Sequence, residues 1–104
     1  MSLDIWLTEK VETEVVSKNI THNLSRMWKE AGIYDALYLS EGKMANEVLP
    51  LFEDGLKVMV AEPERFKQFD SPNGWGLYKH AVPWLSELIS EFKEHPNGII
   101  GISR

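Results

Sequence analysis

The hydrophobic period changes twice along this chain, and that double change constrains its fold more than any other feature. Near the start, SLDIWLT alternates Leu3, Ile5 and Leu7 with Asp4, Trp6 and Thr8, the two-residue period of a half-buried strand. TEVVSKNI, Thr13 to Ile20, is rich in β-branched residues and forms a second strand paired with the first as a hairpin. From Leu24 the spacing turns helical. It becomes β-like again only at IIGIS, Ile99 to Ser103. The order implies an α+β domain: a small antiparallel sheet of about three strands, two N-terminal and one C-terminal, covered on one face by three to four helices. The terminal strands are expected to be neighbours. Two details stay open. The joining residues EKVE carry no Asn-Gly or Asp-Gly turn signal, so the hairpin register is undetermined. Adjacent Val15 and Val16 leave the buried face of the second strand unassigned.

The helical stretch divides at its glycines and prolines. Leu24, Met27, Trp28 and Ala31 define a first helix closed by Gly32, with Thr21 or Asn23 able to cap its start. After a connector holding Tyr34, Leu37 and Tyr38, a second helix presents Val48, Leu49, Phe52, Leu56 and Met59 on one face. Asn46 as its N-cap would place Pro50 in the first turn, where the missing N–H is harmless. Pro63 opens a short helix anchored by Phe66 and Phe69. Beyond NGWG, Leu77, Ala81, Trp84, Leu85, Leu88 and Phe92 mark the inner face of a long helix. Pro83 either lies near its start or kinks it. His95-Pro96 ends it, and Asn97-Gly98 turns into the last strand.

Residues 1–104 make one domain on size. The chain has no cysteine, which excludes disulfides, thiol catalysis and cysteine-held metals. No apolar run reaches the roughly 20 residues that span a bilayer, and MSLDIWLTEKVE does not have the pattern of a secretory signal; a cytosolic location is the expectation. A net charge of −5 opposes attraction to nucleic acid or anionic membrane. DNA mimicry would want rows of acid, and Lys10, Lys18, Lys57 and Lys67 interrupt them. A three-stranded sheet leaves two edges that seek partners unless blunted. Trp6, alternating with core residues, points away from the helices, where a tryptophan is either a rim residue or an interface contact; a homo-oligomer is one outcome.

No nucleophile elbow, phosphate loop or His-Glu-x-x-His helix is present. His80 and His95 lie too far apart on one helix to share a metal, and neither a metal nor a cofactor is expected. His22 has two readings. It orients a strand-to-helix turn, or it serves as a neutral donor or acceptor in a pocket near the start of the first helix, where free N–H groups attract anions. NGWG divides likewise: Gly74 and Gly76 permit positive φ or close backbone approach, while Trp75 either plugs the core or offers a ring for stacking on a base.

Taken in order, NITHNLSRMWKEAGIY, MANEVLPLFEDGLKVM, PERFKQF, NGWGLYKHAVPWLSELI and the closing ISR resemble a group of small uncharacterised proteins of tailed bacteriophages and prophages. The likeness spans nearly the whole chain. It is most specific at Asn19, Thr21, His22, Asn23, Asn73, Gly74, Trp75, Gly76 and Tyr78, and departs at Pro83 and in the PERFKQFDSP wording. The resemblance implies a phage protein in the host bacterial cytosol that works by binding, with counter-defence as its setting and no mechanism attached. Those nine residues are the candidate ligand-binding set and Trp6 the candidate interface residue. If the partner is a small molecule, the expected ligand is anionic and nucleotide-like, with helix-start N–H groups for its phosphate, Trp75 for its base, the asparagines for base or ribose edges, and Arg26 and Lys79 to offset the negative charge. A host protein, bound and inhibited through an exposed sheet edge or surface, is the alternative. A small hydrolase or nuclease built on His22 is a further one. NITHN and NGWG are expected to meet in space, with Trp75 covering His22.

Overall fold

The structure, a computed structural model, describes residues 2–9 and 13–104. Its strands are β1 (Ser2–Glu9), β2 (Thr13–Thr21) and β3 (Ile99–Ser103). They form one antiparallel sheet in the order β2-β1-β3, so the terminal strands do pair and β1 is central. Five helices lie between: α1 (Ser25–Glu30), α2 (Tyr34–Tyr38), α3 (Ala45–Ala61), α4 (Pro63–Lys67) and α5 (Tyr78–Glu94). The connector at Tyr34 is therefore itself a short helix. Its i, i+4 pair Tyr34 and Tyr38 stack with ring centroids 4.4 Å apart. Of the joining residues EKVE, Lys10, Val11 and Glu12 lie outside the described residues.

Leu3, Ile5 and Leu7 are fully buried beneath the helices, as strand alternation requires. Paired residues share a face, so Ile5 aligns with Lys18 and Ile102, and Leu7 with Val16 and Ile100. A register shift between Leu7 and Thr8 places the extra residue Val15 in a bulge. That bulge explains the adjacent valines: Val16 goes inward, and Val15 absorbs the irregularity. α3 and α5 pack against each other, with Phe52 and Phe92 centroids 5.7 Å apart, and Trp28 and Phe66 complete the sealed interior.

On the opposite face, Trp6 pairs with Gly101. A Cβ placed on Gly101 would lie 2.2 Å from the Trp6 indole, so the ring lies across bare backbone, and only glycine fits beneath it. Ile99 follows on the same face, 42% exposed, bridged by Met44.

Both edges are blunted. The Trp84 indole N–H donates to the Asn19 carbonyl of β2 at 3.0 Å. Gly42 N–H and the Lys43 carbonyl bond Ile100 of β3, each at 2.8 Å. Lys18, although charged, points inward from edge strand β2 and is held by Glu87 and by Glu91, the latter at 3.1 Å; an inward charge is a recognised deterrent to edge pairing. Burial alone would lower the Lys18 ammonium, but hydrogen bonds and charge from the two glutamates outweigh it and hold the group above its ordinary range.

Asn46 does not cap α3. Met44 occupies that position, its N–H received by the Glu47 carboxylate at 2.8 Å. The Ala45 and Asn46 N–H groups reach the carbonyls of Gly98 and Pro96 at 2.9 and 3.0 Å. Pro50 consequently falls in the second turn rather than the first. Pro63 starts α4, and Pro83 sits well inside α5.

Candidate functional site

At one end of the sheet, β2 passes into α1 through a single 3-10 turn at His22–Leu24. Thr21 Oγ1 caps that turn by accepting the Asn23 N–H at 3.2 Å, and the Ser25 hydroxyl donates to the His22 carbonyl at 2.6 Å. These short polar side chains supply the bonds a chain reversal leaves open. The imidazole of His22 turns towards α2, where its Nδ1 lies 2.9 Å from the Tyr38 hydroxyl.

The NGWG loop is tied as closely. Asn73 Oδ1 accepts from the Ser71 hydroxyl at 2.7 Å and from Trp75 N–H at 2.9 Å, while Gly74 N–H donates to the Ser71 carbonyl at 3.2 Å. The two glycines have different work. Gly74, at φ 82°, turns the chain in open space; Gly76, at φ 101°, sits so close to the first turn that an added Cβ would lie 2.7 Å from the Asn23 Cβ. Across this approach the Asn23 amide N–H donates to the Trp75 carbonyl at 2.9 Å. NITHN and NGWG thus meet in space.

Between them opens a cavity of about 890 Å³. Seven of the nine expected residues line it: Asn19, Thr21, His22, Asn23, Gly74, Trp75 and Gly76. Asn73 and Tyr78 are not among them. Asn73 spends its side-chain oxygen inside its own loop. Tyr78 donates its hydroxyl to the Met59 carbonyl at 2.7 Å, a packing role under α3. Ser2 and His80 line the cavity without having been singled out for it. His80 lies within the first turn of the helix that NGWG precedes, the one signal that pointed to it. Trp75 stays 69% exposed, and the hydrogen-bond partner of the His22 ring is Tyr38.

The site's electrostatics differ from the expectation of a phosphate cradle. The N–H of Tyr78, first residue of α5, is taken by the Asp70 carboxylate at 2.6 Å. That of Asn23 is taken by Thr21. Arg26 lies over the Phe69 ring, 5.7 Å from its centroid, and neither it nor Lys79 is part of the lining. Among the described residues, the lining holds no Lys, Arg, Asp or Glu, and no group of three or more His, Cys, Asp or Glu side chains is placed to share a metal. Ser25 directs its hydroxyl at a carbonyl rather than at the imidazole, so it is not activated as a nucleophile by His22. What the arrangement offers is an open aromatic ring, an apolar wall from Ile20 and Leu24, and uncharged donors and acceptors. Comparison with protein-family models, curated proteins and solved structures returned no match. No helix among the described residues is long and apolar enough to cross a membrane.

Proposed function

We propose that this chain is a non-catalytic binding protein that holds a nucleotide-like ligand by its base, stacked on Trp75 at the mouth of the cavity. One observation carries this reading: Trp75 leaves its ring in solvent while its own N–H and C=O are both fixed, by Asn73 and Asn23. A backbone already bonded on both sides of the ring spares the loop its ordering cost when a base stacks there. Such stacking is worth about 1–3 kcal/mol per base. With no cationic side chain in the lining, a phosphate would project towards solvent and add little. The phage setting and a counter-defence role belong to the same proposal and rest on the sequence resemblance.

Thermal shift against nucleosides and cyclic and linear nucleotides tests it. Saturation at about 100-fold over Kd adds about 2.7 kcal/mol of stability, a readily measured rise in Tm. Trp75→Ala should abolish the rise and leave the unliganded Tm nearly unchanged. Absence of any shift at about 1 mM ligand, where a Kd of about 10 µM gives that full effect, would remove the nucleotide reading.

A second reading, contact with a host protein, is favoured by Met44 and Ile99, both exposed, beside Trp6 on the uncovered sheet face. The blunted edges direct it to that face rather than to an edge. Capture of a specific host protein that Ile99→Lys and Trp6→Ala both abolish would support it, and a second copy of this chain on the same face would appear as a change of mass in solution.

A further inference from the structure

Three side chains behind the cavity, His22, Ser25 and Tyr38, share protons that can be counted. Ser25 Oγ stands 2.6 Å from the His22 carbonyl, which can only accept, so the serine proton is committed there. Tyr38 Oη lies 2.9 Å from His22 Nδ1 and 3.4 Å from Ser25 Oγ. Ser25 has no proton left for the phenol, and of the two acceptors open to Tyr38 the imidazole nitrogen is the nearer. Burial also raises the Tyr38 phenol above its ordinary range, so it keeps its proton. A phenol donating to Nδ1 leaves the neutral imidazole's hydrogen on Nε2. Among the described residues Nε2 makes no hydrogen bond, and His22 lines the cavity.

We propose that Tyr38 fixes His22 as its Nε2–H tautomer, so that the cavity presents a hydrogen-bond donor and selects planar rings with an acceptor, a carbonyl or a pyridine-like nitrogen, on their edge. The proposal rests on the small-molecule reading above and narrows its ligand class. The other cavity groups complement such an edge. Thr21 accepts from Asn23 N–H, which leaves its own hydroxyl proton to donate. The Asn23 amide N–H is engaged with Trp75, which leaves its carbonyl oxygen as an acceptor. A base carrying an acceptor beside a donor, uncharged at neutral pH, satisfies this set. A ring without edge acceptors would strand the His22 donor away from water, and that loss is the source of selectivity.

Two measurements test it. Long-range 15N–1H correlation on the ligand-free protein, at mildly alkaline pH where histidine is neutral, reads which His22 nitrogen is protonated: Nε2 is expected in the wild type, and a tautomer mixture in Tyr38→Phe. Fluorescence titration then compares uridine and adenosine with phenyl riboside, which keeps the sugar and ring but has no edge acceptor. Nucleosides should bind about five- to ten-fold more tightly than phenyl riboside, the worth of one hydrogen bond. That ratio should fall towards one in His22→Ala, and by no more than about two-fold in Tyr38→Phe, where the ligand selects one tautomer from the mixture. An Nδ1–H tautomer in the wild type, or a ratio unmoved by both variants, overturns the proposal while leaving base stacking on Trp75 intact. Failure of the wild type to bind any of the three ligands removes the small-molecule reading itself, and with it the role of His22 as a ligand contact. Tyr38→Phe preserves the stacked ring on α2, so a collapse of His22→Ala alone would not excuse the result.

Discussion

The side-chain amide of Asn23 donates to the main-chain carbonyl of Trp75 at 2.9 Å, joining two turns 52 positions apart in the chain. This bond holds the Trp75 backbone where the cavity opens. Asn23→Ala should therefore cost little stability, about 0.5–1.5 kcal/mol, yet loosen the loop. Hydrogen exchange at Ser71, Gly74 and Trp75, whose N–H groups are bonded within the loop, should accelerate in the variant, and nucleoside affinity should fall by more than the stability change predicts. Unchanged exchange would mean that the Asn73 turn alone positions Trp75.

Gly74 and Gly76 both have positive φ, but only Gly76 is pressed against Asn23. Gly74→Ala should cost about 1 kcal/mol, the penalty for a left-handed alanine. Gly76→Ala adds a steric conflict to that penalty and should cost distinctly more, about 2–4 kcal/mol. Urea unfolding of the two variants measures the difference, and equal losses would mean that the close approach relaxes without strain.

How much of this was legible beforehand depends on whether a feature is local. The alternation of Leu3, Ile5 and Leu7 identifies β1 and its inner face, because strand geometry acts residue by residue. Gly32, Pro63 and Pro96 mark helix ends for the same reason; Pro50 and Pro83 do not, lying inside α3 and α5, and the cap of α3 was not legible either. There Met44 takes the place expected of Asn46 because the first donors of α3 are met by Pro96 and Gly98, carbonyls that no local window contains. The inward turn of Lys18 depends on Glu87 and Glu91, and the partner of His22 on Tyr38; neither spacing follows from a helical or strand period. In the candidate site, the meeting of NITHN and NGWG followed from where the helices start. The diversion of Asn73 into its own turn did not, because an asparagine beside a glycine is equally suited to a ligand and to a turn.

Trp6 and Gly101 form a pair that can be tested as a pair. Gly101→Ala forces a methyl group into the indole and should destabilise the protein by about 1–3 kcal/mol. In a Trp6→Ala background the same change meets no ring and should cost far less. A double-mutant cycle by urea denaturation should show coupling of at least about 1 kcal/mol; additive losses would place the strain elsewhere.

The Lys18 pairing sets two limits on pH. The Lys18 hydrogen bond, then its charge, lowers Glu87 below the usual carboxylate range, so this contribution is present above the unfolded value and is lost as acid protonates the carboxylate. Lys18 is raised, so its contribution is complete below the ordinary lysine value and is lost as pH rises through the higher folded one. Lys18→Met should therefore flatten the fall in urea midpoint between neutral and acidic pH. It should also leave Glu87 and Glu91 repelling each other at neutral pH, where the variant is least stable relative to the wild type. An unchanged acid limb would assign the acid sensitivity to other carboxylates.

β1 precedes both of its partners in sequence yet lies at the middle of the sheet, flanked by β2 and β3. A fold built only to the end of α5 has the hairpin with one side of β1 still unpaired. It also lacks the Pro96 and Gly98 carbonyls that receive the first donors of α3, and the Ile100 that engages Gly42 and Lys43. Residues 96–103 thus complete two structures at once, on opposite sides of a long stretch of sequence. Pairing of β3 with β1 joins segments from opposite ends of the described chain, so it should form after the local hairpin, with the cavity's supporting sheet acquiring its rigidity last.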